Sequence, residues 1–323
     1  MKKLEGRTAI TVALDTEIAA SSAANAEKEA PLSNATILVV GGTGTVGREV
    51  VRKLAQSGRS VRVLARDPVK AASVLGPDIE IVAGDLRDSA SLTAALSGID
   101  SASLATSPSP TLHEEEINFI DAAKAGMVRR IVKLSAFGIE FAKDRIHRGH
   151  VESERRLRES GISSVVLRPV IFMSNMLMDG ASIRTGKLPS IFGDSRVTFV
   201  DPRDVGELIA HALVEPTHDG QSWELGGPEA LSYDDLAATF TRVLGRPIEH
   251  VRLDPAAFAA QALTAGLPDF VVEAITEAAT SARTGKYAVD DGVVRRVLHR
   301  PASSFHDWVV RNRDAFQATE AAS

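Results

Sequence analysis

The sequence predicts an α/β protein, a doubly wound parallel sheet with a smaller, mainly helical lobe. Three observations carry this. Residues 37–40 are aliphatic without polar interruption, as a strand buried on both faces of a parallel sheet requires. A turn holding Gly41, Gly42, Gly44 and Gly47 follows, after which Val46, Val50, Val51 and Leu54 recur at helical spacing. Short apolar runs and helical patterns then alternate up to residue 167.

The glycine turn gives the sheet its first chemical meaning. Gly42-x-Gly44-x-x-Gly47 supplies a tight turn, room for backbone to approach a pyrophosphate, and close packing of helix on strand. The order strand, turn, helix places a helix N-terminus where a phosphate would sit. A Rossmann-type, NAD(P)-binding sheet is therefore expected.

Composition bounds the rest. The chain has 323 residues, enough for one large domain or a domain with a smaller lobe. Lys and Arg number 37 against 42 Asp and Glu, a net charge of −5 with no basic stripe, so nucleic acid is not expected as a partner. The absence of cysteine excludes disulfides, thiolate nucleophiles and cysteine metal sites, and points to the cytoplasm. No apolar run reaches membrane-spanning length. Residues 1–34 read as a mobile leader, with an edge strand at residues 4–12 as the alternative. The core spans residues 35–171 and is completed by 197–227; residues 172–196 and 228–300 form the substrate lobe, and 301–323 a closing helix and tail.

After the first helix, residues 60–65 form a second strand ending in Arg66-Asp67-Pro68, where the adenosine ribose would lie. A guanidinium fits a 2′-phosphate, so Arg66 favours NADP(H); Asp67 leaves NAD(H) possible through the 2′-hydroxyl. A third strand at 79–83 leads to Gly84-Asp85-Leu86, where Asp85 either bonds the adenine amino group or caps a helix, with Asp88 or Ser89 the more natural cap. Residues 101–105 form the fourth strand, carrying Ala105 and Thr106 towards the cofactor. His113-Glu114-Glu115-Glu116 cannot converge on one ion from consecutive helical positions and reads as a solvated face, so no metal is expected. The fifth strand, 130–134, delivers Ser135 to the carboxyl edge, placed to bond a nicotinamide or substrate oxygen but lacking a nucleophile's partner base. A charged helix carrying His150 follows, then the sixth strand at 162–167.

Later segments complete the plan. Residues 197–200 and 201–213 read as strand then helix with Asp204 as cap, and 221–225 as the last strand of the main sheet. Residues 232–244 form a capped helix, 248–253 a strand, and 254–284 are helical with a break at Gly266-Leu267-Pro268. A closing helix spans 305–316, with Trp308, Val309 and Phe316 on one face. Met176 and Leu177 are expected in the core.

Taken together, the motifs resemble the NmrA-like branch of the atypical short-chain dehydrogenase/reductases, in particular its NAD(P)H-dependent quinone and azo-dye reductases. They are Gly41 to Gly47, Gly84-Asp85, Leu134-Ser135-Ala136, His150-x-Glu152-x-Glu154, Leu167-Arg168-Pro169, Phe172-Met173-x-Asn175, Asp201-Pro202-Arg203-Asp204 and Gly226-Gly227-Pro228. The resemblance implies cofactor contacts from Gly41, Gly42, Thr43, Gly44, Thr45, Val46, Gly47, Arg66, Asp85, Leu86, Ala105, Thr106 and Pro169. It also implies a small aromatic or quinone-like substrate against Phe172, Met173 and Asn175, a monomer or homodimer, and no flavin.

One departure bears on chemistry. Alcohol-oxidising members of the superfamily use Tyr-x-x-x-Lys; here Ile146 stands at the tyrosine and His150 at the lysine. Ile146 cannot donate a proton, which argues against alcohol, isomerase and epimerase chemistry. Reduction of an electron-poor acceptor tolerates the loss, with His150 either a proton source titrating near neutrality or a holder of the nicotinamide ribose. The alternative for His150 is an exposed helix-end residue. The same missing tyrosine leaves open a non-catalytic NADP(H)-binding redox sensor, and reduction of a carbon double bond is a third reading.

Overall fold

The computed structural model describes residues 36–317. The leader at 1–34 and the strand considered at 4–12 lie outside these residues. Strand β1 (Thr36–Val40) is followed by α1 (Thr45–Gln56), β2 (Val61–Ala65), α2 (Pro68–Leu75), β3 (Glu80–Ala83), α3 (Ser89–Ala95) and β4 (Ile99–Leu104). Then come α4 (Leu112–Ala125), β5 (Arg130–Leu134), α5 (Arg145–Ser160) and β6 (Ser163–Pro169). With β10 (Ser222–Leu225) these strands form one seven-stranded sheet in the order β10-β6-β5-β4-β1-β2-β3. All its pairings are parallel.

The chain winds outward from β1 to β3, then crosses back to lay β4 on the other side of β1. The loops after β1 and β4 therefore part at the carboxyl edge, the switch point where such sheets bind ligands. Strand β1 shows why its residues do not alternate in polarity. Ile37 and Val39 enter one core cluster with Val46, Val50 and Leu54 of α1, while Leu38 and Val40 enter another with Phe119 and Ile120 of α4. Both faces are buried.

Beyond β6 the chain leaves for the lobe through β7 (Ile171–Phe172), a 3₁₀ turn (Met173–Leu177), α6 (Gly180–Arg184), β8 (Lys187–Ser190) and β9 (Val197–Val200). It returns along α7 (Pro202–Val214) to β10, then adds β11 (Ala230–Leu231), α8 (Tyr233–Leu244) and β12 (Glu249–Arg252). Helices α9 (Pro255–Thr264), α10 (Asp269–Ala282), α11 (Gly292–Leu298) and α12 (Phe305–Arg311) complete it.

Several elements differ from expectation. Strand β9 pairs with β7 and β11 in a separate three-stranded sheet, and β8, a strand not anticipated, pairs with β12. Asp204 is not the cap of α7: Asp201 accepts from the Arg203 amide at 2.9 Å. Asp204, one turn in, instead accepts from the Ser303 amide at 2.7 Å and from Arg300 at 2.8 Å, tying the closing segment to α7. Met176 is buried but Leu177 is 45% exposed, because a 3₁₀ turn swings each successive residue by about 120°, carrying Leu177 off the face that Met176 buries. The closing helix stops at Arg311, and a 3₁₀ turn (Arg313–Phe316) carries Phe316 into the core.

Candidate active site

The turn after β1 is a cradle that side chains would fill. A Cβ on Gly41, whose φ is +75°, would lie 2.1 Å from the Ala105 carbonyl oxygen, and one on Gly47 would lie 2.1 Å from the Gly41 carbonyl oxygen. Gly44 meets only the Gly41 oxygen, at 3.2 Å, and is exposed together with Thr43 and Thr45. Gly44 is also the N-cap of α1, where no side chain caps. The first bond into the helix is Arg48 N to Gly44 O at 3.0 Å, so the amides of Thr45, Val46 and Gly47 come before it. Such a helix start, without a capping side chain and beside an open turn, fits a pyrophosphate.

Beyond the ends of β2 and β3, Arg66, Gly84, Asp85, Asp88 and Ser91 line a hollow of about 320 Å³. Asp67 accepts from the Lys70 amide at 3.0 Å as N-cap of α2, so one of its carboxylate oxygens is engaged. Asp88 caps α3. Asp85 is no cap: it accepts from Arg87 at 2.6 Å, and that pairing, with the Arg87 amide, holds its carboxyl down at about 2. Leu86 is half-buried against the core, its carbonyl accepting from Asn118 at 3.2 Å.

The centre of the edge holds a buried ionic network. Lys133 of β5 donates to Glu116 Oε2 at 2.6 Å and reaches His150 Nδ1 at 3.2 Å and the Leu134 carbonyl at 3.3 Å. Thr106 donates to the other Glu116 oxygen at 2.8 Å. A chain of contacts thus runs from the end of β4 through α4 and β5 to α5. His150 is buried, 7% exposed, and is not the exposed helix-end residue considered as its alternative. Burial and the Lys133 charge push it below the ordinary imidazole value, against the pull of Glu116. Burial raises the Glu116 carboxyl, but Lys133 and His150 outweigh this and bring it to about 2.

Ser135 stands in a second network. Its hydroxyl donates to Glu154 Oε1 at 2.6 Å, and Arg168 donates to both oxygens of Glu154, at 3.2 and 2.6 Å. With its proton committed, Ser135 offers a lone pair, not a donor. The Pro169 carbonyl accepts from the Phe137 amide at 3.0 Å, fixing the β5–α5 loop against the end of β6. Of the residues expected to face substrate, Phe172 is half-buried, Asn175 is exposed, and Met173, 1% exposed, belongs to the core. Beside this loop Tyr287 packs edge-on against Phe137 and Phe141, at centroid distances of 5.2 and 6.3 Å. Arg145 at the start of α5 pairs with Asp269 and Glu273 of α10, at 2.8 and 3.0 Å. The lobe is thereby fastened to the rim of the edge. Among the described residues no cluster of three or more His, Cys, Asp or Glu could hold a metal ion, and no helix is long and apolar enough to cross a membrane.

The model of the NmrA-like family matches residues 33–300. The chain belongs to the NmrA-like family. It is 41% identical over 283 residues to the (4-alkanoyl-5-oxo-2,5-dihydrofuran-3-yl)methyl phosphate reductase of Streptomyces griseus, covering 87% of this chain and 99% of that protein. It is 34% identical over 287 residues to the NAD(P)H azoreductase of Xenophilus azovorans, with the same coverage. The crystal structure of the NADPH-dependent quinone oxidoreductase QOR2 of Escherichia coli in complex with NADPH superposes with a TM-score of 0.78 at 26% identity, over 86% of this chain and 99% of that one.

In this NmrA-like protein four residues take part in the site without a role legible in the sequence: Glu116 and Lys133, and, although both stand in the quoted motifs, Glu154 and Arg168. Glu116, expected on a solvated face, is fully buried, since α4 turns that position onto the sheet. A signal existed: Lys133 sits inside the apolar run Arg-Ile-Val-Lys-Leu, and a lysine in a doubly buried strand needs a carboxylate partner. The sequence does not say which carboxylate. Glu116 supplies it across a separation of 17 residues.

Proposed function

We propose that the protein is an NAD(P)H-dependent reductase of compact, electron-poor conjugated acceptors, with NADPH preferred. When bound, the reduced nicotinamide supplies the hydride. The glycine turn and the start of α1 hold the pyrophosphate, the hollow at Arg66 takes the 2′-phosphate, and His150 and Ser135 stand at the nicotinamide end. Asp67's engagement as a helix cap supports the choice of NADPH, because one of its two carboxylate oxygens already accepts from the Lys70 amide and is not free for a 2′-hydroxyl.

The observation that carries the acceptor class is Ile146 on α5, at the position where alcohol dehydrogenases of this superfamily have their tyrosine. Without a phenol there, the acceptor must stabilise its own anion until solvent or a weak donor protonates it. Quinones, azo compounds and acylated unsaturated lactones all do so by delocalising charge, and these are the classes named in the relatives. The relative with 41% identity makes a phosphorylated unsaturated lactone a substrate to test beside the quinones and dyes.

The test is NADPH and NADH oxidation by purified protein over quinones, azo dyes and a 4-alkanoyl-5-oxo-dihydrofuranyl methyl phosphate, beside binding titrations of all four cofactor forms. Turnover with NADPH preferred supports the reductase. Tight cofactor binding with no turnover of any acceptor, and unequal affinity for oxidised and reduced forms, would overturn it in favour of a redox sensor.

A further inference from the structure

Lys133, an ammonium on a central strand, has a fully buried side chain within reach of three groups: Glu116 Oε2 at 2.6 Å, the Leu134 carbonyl at 3.3 Å and His150 Nδ1 at 3.2 Å. An ammonium only donates, so the ring nitrogen facing it must be a bare lone pair. A neutral imidazole carries one proton, which is then left to Nε2. We infer that Lys133 is a positioning residue that fixes His150 in the tautomer bearing its proton on Nε2. This rests on the reading of the site as a nicotinamide-binding reductase.

The surrounding charges act in the same direction. Protonating Nδ1 would set a second cation against Lys133 in a site closed to water. Glu116 Oε2 is 3.8 Å from Nδ1, but that carboxylate already accepts from Lys133 and Thr106. His147, one turn earlier on α5, is arranged oppositely: its Nδ1 faces Asp144 at 2.5 Å and its Nε2 faces the Phe137 carbonyl at 3.0 Å, so both nitrogens meet acceptors. Glu154, one turn further on, is occupied by Ser135 and Arg168. Two histidines three positions apart thus have opposite surroundings, and only His150 has a donor against it.

The consequence selects between the two roles open to His150. A fixed Nε2–H is a hydrogen-bond donor on a ring whose second protonation is pushed below the ordinary imidazole value. It replaces, without a charge, the donor that Tyr-x-x-x-Lys enzymes obtain from lysine, and suits the ribose hydroxyls of the nicotinamide. It does not suit an imidazolium acid.

The test is a two-bond ¹H–¹⁵N spectrum of histidine-labelled full-length protein, with the His150 signals assigned by their loss in His150→Gln. The expected pattern at neutral pH is a protonated Nε2 and an unprotonated Nδ1, with a midpoint below the ordinary imidazole value. A protonated Nδ1, or a midpoint at or above the ordinary imidazole value, overturns the inference. In Lys133→Met, which leaves Glu116 facing the ring, the His150 midpoint rises by about one unit or more. In the paired variant Lys133→Met/Glu116→Leu, both charges go and the tautomers mix. Retention of a single Nε2–H form there overturns the role of Lys133. Adding NADP⁺ shifts the Nε2 resonance; no shift at saturating cofactor overturns the ribose assignment. None of these readings needs a substrate, so absence of turnover would fail the proposed reaction while leaving the tautomer measured.

Discussion

Lys133 Nζ lies 2.6 Å from Glu116 Oε2, and neither side chain has any accessible surface. Breaking such a pair costs far more than removing it whole, because the surviving charge has no water to turn to. Glu116→Gln should therefore destabilise the fold by about 3–5 kcal/mol. Glu116→Leu/Lys133→Met should lose much less than the sum of its single variants. Urea midpoints of the unsubstituted protein, Glu116→Gln, Glu116→Leu, Lys133→Met and the double variant check this, and additive losses would refute it.

Acidification should weaken the fold in two stages. His150 is held below its ordinary 6.5, so the stability tied to its neutral form is complete above that pH and is lost as pH falls through its folded value. Glu116 is lowered from 4.5 to about 2, so its contribution is complete above pH 4.5 and drains away towards pH 2. Urea midpoints across this range should fall more gently below pH 6.5 in His150→Gln than in the unsubstituted protein. Parallel curves would contradict the stated surroundings of His150.

A methyl group at Gly47 would press on the Gly41 carbonyl oxygen from 2.1 Å. Backbone must move to admit it, and the turn that moves is the one proposed to hold the pyrophosphate. Gly47→Ala should cost about 1–3 kcal/mol in stability and weaken NADPH binding by at least about tenfold. Calorimetric titration measures the second effect directly.

Arg66 should decide between the two cofactors. Arg66→Ala is expected to weaken NADPH binding by roughly 1.5–3 kcal/mol, about ten- to a hundredfold, with little change for NADH. Equal losses for both cofactors would mean that Arg66 supports the hollow's shape and not a 2′-phosphate.

The glycine turn, the order of the strands of the main sheet up to β6, and the return of β10 were legible because each depends on local pattern: aliphatic runs, turn residues, helical spacing; the short helix α2 between β2 and β3 was not. The capped start of the helix at 232–244 was equally plain, and the structure shows the cap to be a reciprocal pair, Ser232 and Asp235. What escaped notice depends on partners far along the chain. The surface-like run at Glu116 gives no sign of burial until Lys133 lies above it, and Ser135 shows no bond to Glu154 until α5 folds back over β5. Asp201 and Asp204 stand three apart beside one helix start, and their different duties are decided by Arg300, Ser303 and Arg311, 96 to 110 residues further on.

Strand β10 pairs with β6 from Val166 opposite Ser222 to Pro169 opposite Leu225, yet the chain between them travels through β7, β8, β9 and α7. No single cut separates a finished sheet from a finished lobe. A fragment ending after β6 would present that strand's unpaired amides and carbonyls as a template for another chain. The cofactor half and the lobe are therefore expected to melt as one unit. The lobe is not a detachable module, since it carries the chain from β6 round to β10.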